Sequence, residues 1–206
     1  MTTTIKIIGS LTSPFVRICR VVCEELSLPY KLEETPPFAK MTPEQNAALI
    51  ENNPLMKVPI MVDGGQKVID SRIIISWLLK KHKGGGDFRT DFPATADEDN
   101  IVTTLYGIMD AGVLRYIMHN SYPDIDMNSA YMGRSLERIG HGLDWLDGQQ
   151  SLGKSFGVPE ALLVCCLEWY KKRAIYDWQP YKNLAALHKK FENRDSLVKT
   201  RIPENV

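Results

Sequence analysis

Three short clusters in the first eighty residues put polar groups where a small molecule could be held. Thr12-Ser13-Pro14-Phe15 sets two hydroxyls just before an amphipathic segment. A Ser followed by Pro suits a helix N-cap and first helical position, and a hydroxyl there can also donate to an anion. Asn53-Pro54-Leu55-Met56-Lys57-Val58-Pro59-Ile60 supplies a Val-Pro step that feeds a short apolar run. Pro59 removes a backbone donor and can hold a cis bond, so Val58 can present its N–H and C=O to a ligand. Asp70-Ser71 follows eleven residues after Pro59 and opens another amphipathic segment. Free N–H groups at such a helix start suit a carboxylate, the Ser71 hydroxyl adds a bond, and the Asp70 carboxylate suits an ammonium. Each cluster also has a plainer reading as a helix cap, because Ser and Asp are preferred there anyway.

Other chemistry is scarce in the chain. The four cysteines show no C-x-x-C motif and no paired zinc spacing. Cys19 and Cys23 fall in the series Phe15, Ile18, Cys19, Val22, Cys23, Leu26, the stripe of a helix face, which predicts core residues rather than a redox pair. Cys165 and Cys166 lie in an apolar run without a polar face, the mark of a central buried helix. The histidines at 82, 119, 141 and 188 show no ligand spacing, so no metal site is expected. Twenty-five basic residues balance 25 acidic ones, leaving no electrostatic footprint for nucleic acid or an anionic membrane. The longest apolar runs, such as 161–167, fall short of a membrane span, and the start lacks the pattern of a signal peptide. The expectation is a cytoplasmic protein with neither a nucleic-acid nor a membrane partner.

The elements that must position the clusters are legible in the periodicity. Ile5–Ile8 predicts a strand ended by Gly9, Pro14 to about Leu26 a helix, and Tyr30–Glu33 a second strand. A short helix is expected from Pro43 to Ile50 under a Thr42 cap. Ile60–Val62 and Lys67–Ile69 flank Asp63-Gly64-Gly65 as a hairpin, and Ser71 to about Lys81 reads as a third helix. Lys83-Gly84-Gly85-Gly86-Asp87 breaks the pattern, since three glycines cost too much chain entropy inside an element. The expected organisation is a domain at 1–82, a linker at 83–96 and an all-α domain at 97–206. Helices are predicted there over 97–120, 127–146, 158–173 and 181–191. Gly157-Val158-Pro159-Glu160 can start the third of these, with Glu160 returning a bond to the cap N–H.

The ordered motifs Ser13-Pro14-Phe15-x-Arg17, Asn53-Pro54-x-x-Lys57-Val58-Pro59 and Asp70-Ser71 resemble the glutathione transferase superfamily, in the serine-type cytosolic form of bacteria. The resemblance covers most of residues 4–80. It implies an α/β N-terminal thioredoxin-like domain plus an all-α C-terminal domain. It implies glutathione as co-substrate, without a metal, and attack of its thiolate on a small electrophile in detoxification. Ser13 is then the catalytic hydroxyl, donating to the sulfur anion and lowering the thiol pKa. Thr12 offers a neighbouring hydroxyl, and the sequence leaves both open. Val58, held by Pro59, becomes the backbone partner of the cysteinyl part, Asp70 and Ser71 take the γ-glutamyl end, and Lys57 approaches the glycine carboxylate. Two departures stand out. Asp70 replaces a common Glu or Gln, and Met56 replaces a common Gly, which puts the loop conformation in question.

The resemblance also implies that the first helix after the linker faces the glutathione site. Phe15, Met109, Asp110, Val113 and Tyr116 are then candidates for an acceptor pocket, with core or dimer contacts as the competing role. Asp110 is expected on an otherwise apolar face, where a buried carboxylate would need a partner. A homodimer is implied as well. Two rival functions remain at this level. One is a regulatory or ligand-binding protein on the same fold, like the stringent-starvation regulators. The other is a glutathione-dependent peroxidase, dehalogenase or isomerase.

Overall fold

The computed structural model describes residues 4–82 and 86–204. Residues 83–85, the first three of the expected linker, lie outside them. The chain divides into two units. The first runs to Thr90 and resumes at Asp195, and the second spans Asp91–Arg194. The sequence reading carried the second domain to residue 206, whereas the tail from Asp195 folds with the first unit.

In the first unit, β1 (Ile5–Gly9), α1 (Pro14–Glu25) and β2 (Tyr30–Glu34) precede a 3-10 turn at Phe38–Lys40 and α2 (Pro43–Asn52). Then come β3 (Ile60–Asp63), β4 (Gln66–Ile69) and α3 (Ser71–Lys81). The sheet order is β2-β1-β3-β4, with β1 parallel to β2 and antiparallel to β3. This is a mixed four-stranded thioredoxin-like sheet. Side chains alternate across it. Ile7, Met61 and Val68 share one register line and are buried on the face that α1 and α3 cover. Ile8, Ile60 and Ile69 share the next line and meet Leu49 of α2 on the opposite face. The α2 start is a capping box, in which Thr42 Oγ1 accepts from Gln45 N and Gln45 Oε1 from Thr42 N.

Helix α1 is buried on more sides than its apolar stripe predicts. Arg17 is 1% exposed, and Arg20 is buried too. Arg17 Nη2 donates to Leu197 O at 3.1 Å, and Arg20 donates to Tyr30 Oη at 3.3 Å and to Thr200 O at 3.4 Å. Both arginines thus close carbonyls at the end of a short helix in the tail, which satisfies groups a helix leaves unpaired. Cys19 and Cys23 are buried as expected. Burial pushes the Cys23 thiol up to about 12, so it stays protonated and structural.

The second unit is helical: α4 (Ala96–Ser121), α5 (Ala130–Asp147), α6 (Val158–Arg173) and α7 (Lys182–Phe191). The tail helix of the first unit is α8 (Asp195–Lys199). By length and composition α4 could cross a membrane, but it packs in this unit against α5 and α6. It meets α6 closely at Gly112, where an added Cβ would lie 3.1 Å from the Tyr170 hydroxyl and closer still to its ring. Tyr170 Oη donates to Ile108 O beside that contact. Helix α6 is buried nearly throughout, Cys165 and Cys166 included. Burial raises the Cys166 thiol well above its ordinary value. The α6 start is held as the sequence suggested and more. Glu160, only 3% exposed, accepts from Gly157 N and from Gly153 N, each at 3.0 Å.

Candidate functional site

Ser13 is the N-cap of α1. Its backbone is extended, its Oγ accepts from Val16 N at 3.3 Å, and its own N–H donates to Ser10 O at 3.1 Å. A hydroxyl has one proton and two lone pairs, so accepting a backbone N–H leaves the proton to donate. Ser13 is half-buried, as is Thr12. Thr12 Oγ1 lies 3.0 Å from Ser10 Oγ, and Thr12 N donates to that same oxygen at 3.2 Å. Ser10 escaped the sequence reading because a serine after a strand-ending glycine reads as ordinary turn composition.

The Val58–Pro59 peptide is cis. Pairing of β3 with β1 and β4 begins at Ile60, so Val58 stands ahead of the ladder. Gly9 fixes how near it stands to α1. A Cβ at Gly9 would lie 3.2 Å from Val58 Cβ and in collision with Val16. Only a residue without a side chain lets the end of β1, the first turn of α1 and Val58 meet. The preceding loop is tied by Asn53, which is 2% exposed. Its Nδ2 donates to Lys57 O at 2.7 Å and its Oδ1 accepts from Leu55 N at 3.0 Å. Met56 has φ 53°, the left-handed conformation a glycine would take without cost. The loop therefore keeps a glycine-like path despite the side chain. Lys57 is exposed.

Asp70 is the N-cap of α3, with φ 71° and Oδ1 accepting from Arg72 N at 2.9 Å. Ser71 is buried, and its carbonyl lies 4.0 Å from Cys19 Sγ on α1. Cys19 is six residues along α1 from Ser13, so the starts of α1 and α3 are separated by on the order of 10 Å. Behind α3, Asp63 at the hairpin accepts from Lys81 Nζ at 2.6 Å and from Trp77 Nε1 at 3.1 Å. The Lys81 bond, then that of Trp77, holds the Asp63 carboxyl below its ordinary value against the opposing effect of burial. The first unit thus brings Ser13, Val58, Pro59, Asp70 and Ser71 to neighbouring turns.

The acceptor candidates divide. Phe15, half-buried on α1, belongs to the first unit, and the other four lie on α4 in the second. Met109 is fully buried in the core of its unit. Val113 is half-buried, and Tyr116 packs edge-on to Trp169 at 5.8 Å with Arg173 stacked 5.2 Å above its ring. Asp110 is exposed, so the buried carboxylate expected there is corrected. The cause is geometric: α4 turns Met109 inward, and the next position on a 3.6-residue helix points some 100° away. Among the described residues no group of three or more His, Cys, Asp or Glu is arranged to hold a metal ion.

Comparison with known proteins bears on this arrangement. The family model for the glutathione S-transferase N-terminal domain matches residues 7–86. An uncharacterized GST-like protein of Escherichia coli, YibF, is 27% identical over 144 residues, 69% of this chain and 68% of that one. Glutathione S-transferase 4 of Zea mays is 33% identical over 89 residues, 41% of this chain and 39% of that one. A glutathione transferase family member from Pseudomonas fluorescens Pf-5, solved with bound glutathione, superposes with a TM-score of 0.85 at 25% identity. That superposition covers 97% of this chain and all of the other. The chain thus carries a glutathione S-transferase N-terminal domain at residues 7–86, and its thioredoxin-like sheet and helical second unit match the fold of that superfamily.

Proposed function

We propose that this chain is a glutathione transferase that holds the glutathione sulfur as a thiolate at Ser13 and directs it onto a small electrophile. The observation that carries the reading is the Ser13 cap. Its oxygen is occupied by Val16 N–H, so its proton remains to donate at a helix start whose partial positive charge favours a thiolate. The matching N-terminal domain and the glutathione-bound Pseudomonas fluorescens relative support glutathione as the ligand. Ser71 and the free N–H groups of α3 take the γ-glutamyl carboxylate, and Asp70 takes the ammonium. One Asp70 oxygen already caps Arg72 N, so the other serves the ligand. The Val58 main chain, ahead of Pro59, pairs with the cysteinyl part, and Lys57 meets the glycine carboxylate.

In the reaction the thiol proton leaves to solvent and the sulfur lone pair forms the new C–S bond as a leaving group departs with its electrons. Ser13 keeps its proton throughout and acts only by its hydrogen bond. The protein works in the cytoplasm, in detoxification, as a homodimer.

The test is a spectroscopic titration of bound glutathione with wild type, Ser13→Ala and Ser71→Ala. Ser13→Ala retains the ligand but raises the thiol pKa by roughly one to two units, the worth of one charge-assisted bond. Conjugation at neutral pH falls about ten- to a hundred-fold and recovers at higher pH. Ser71→Ala weakens binding by roughly ten-fold or more. Binding without a thiolate near neutral pH, and without turnover of an aryl halide or hydroperoxide, replaces this reading with a non-catalytic binding protein of the stringent-starvation kind.

A further inference from the structure

Ser10 is a polar residue of the β1–α1 turn to which the proposed chemistry gives no task. Three hydrogen-bonding contacts converge on it within four residues. Its carbonyl accepts from Ser13 N at 3.1 Å, its Oγ accepts from Thr12 N at 3.2 Å, and that Oγ lies 3.0 Å from Thr12 Oγ1. The turn is also fixed from the strand side. Gly9 O accepts from Thr35 N at 3.3 Å, and the Gly9 backbone is wedged against Val16 and Val58. The two hydroxyls that compete for an anion here therefore differ in what surrounds them. Thr12 Oγ1 shares a hydrogen bond with Ser10 Oγ in which either hydroxyl can donate, while Ser13 Oγ accepts from Val16 N.

We propose that Ser10 is a positioning residue, whose Oγ ties down Thr12 through its N–H and whose carbonyl holds Ser13, so that Ser13 presents its proton to the bound sulfur from a fixed turn. The proposal rests on the transferase reading above. Ser10 itself touches neither sulfur nor electrophile, and no proton changes owner. Its effect is preorganisation: a donor fixed before the charge forms costs no reorganisation when it forms, whereas a hydroxyl on a loosened turn does.

The experiment compares wild type, Ser10→Ala and Ser10→Thr with two readouts. The first is amide exchange at Thr12 and Ser13 in ligand-free protein, which does not depend on glutathione. Ser10→Ala removes the acceptor of Thr12 N–H, and exchange there accelerates about five- to ten-fold, while Ser10→Thr retains protection. The second is the titration of bound glutathione. In Ser10→Ala the thiol pKa rises by about half to one unit, with a matching three- to ten-fold fall in kcat at neutral pH. The dissociation constant stays within about three-fold because Ser10 makes no ligand contact, and Ser10→Thr restores the titration. A lower Tm in Ser10→Ala with an unmoved thiol titration shows a merely structural serine and overturns the proposal. Unchanged exchange at Thr12 overturns it as well. Wild-type protein lacking a thiolate near neutral pH sinks the transferase reading and the sulfur-directed role of Ser10 together. Accelerated exchange in Ser10→Ala then shows the tie itself intact, so the two failures are told apart.

Discussion

Two helix starts in this molecule solve the same problem in opposite ways. At α1 the half-buried Ser13 hydroxyl accepts one backbone N–H and keeps a proton. At α6 the buried Glu160 carboxylate spends both oxygens inside the protein, on Gly157 N and Gly153 N. The first cap leaves a polar function over, and the second leaves none. The strained backbone follows the same division. Of the four non-glycine residues with positive φ among the described residues, Met56 and Asp70 flank the Val58 and Ser71 turns, while Ser27 follows the end of α1 and Ala174 ends α6. Strain of this kind costs of order 1–3 kcal/mol and persists where the surroundings impose it. A cap that satisfies everything serves the fold, and one that leaves a donor over can serve a ligand.

The sharpest way to break that comparison is at Glu160. Glu160→Gln keeps the shape but sets an amide NH2 against one of two buried N–H donors. Losing a charged hydrogen bond and stranding a donor costs about 3 kcal/mol. For a chain of this size that corresponds to a Tm lower by roughly 6–12 °C. Bound glutathione should titrate as in wild type, because the damage is confined to the α6 start. Calorimetric melting together with the thiol titration reads both. A shifted thiol at unchanged Tm would mean the two caps are not divided between fold and ligand.

An effect of middle size comes from Asp63, which braces the hairpin to α3 rather than the ligand. Its carboxyl is held below its ordinary value by Lys81 and Trp77. A depressed folded-state pKa gives stability that is present above the unfolded value of about 3.9 and is lost as pH falls through the lower folded value. Denaturant midpoints of wild type and Asp63→Asn should therefore differ at pH 6 and converge in acid. A constant difference between pH 6 and pH 3 would show that the bond to Lys81 does not depend on the carboxylate charge. The Lys81 ammonium is about half exposed, so the effect is kept modest by solvent.

Most of the first unit was legible because its signals are local. Alternation located β1, β3 and β4, the Ser13-Pro14 and Thr42-Pro43 pairs located two helix starts, and Asp70-Ser71 a third. What escaped depends on residues far apart in the chain. Arg17 and Arg20 sit in a sequence that reads as a polar helix face, and only the return of residues 195–202 buries them. The short α8 carries too few residues for a period to register. Ser10 is a local exception: it looks like turn composition, yet with Asn53 it organises the turns that present Ser13 and Val58. Asp110 went wrong for a finer reason. The sequence sets it on an otherwise apolar face of a long helix, and the helical period carries that position to solvent.

The smallest expected effect compares the two strained positions directly. Met56 and Ala174 have almost the same φ, 53° and 50°. Ala174 closes α6, with Ile175 N reaching back to Tyr170 O at 3.0 Å, the bond pattern that usually recruits glycine. The left-handed conformation costs an L-residue about 1–2 kcal/mol, partly offset in a glycine variant by the greater freedom of its unfolded chain. Ala174→Gly and Met56→Gly should each raise stability by about 0.5–1 kcal/mol in urea titrations. Met56 is 46% exposed, so losing its side chain removes little packing. Their effects on glutathione should separate them. Ala174→Gly leaves affinity unchanged, while Met56→Gly frees the loop that leads through Lys57 into Val58 and weakens binding by roughly two- to five-fold, as an ordering cost paid on association. Equal effects of both variants on affinity would show that strain beside Val58 has no more to do with the ligand than strain at a helix end. A destabilised Met56→Gly would mean the side chain, rather than the backbone path, holds that loop.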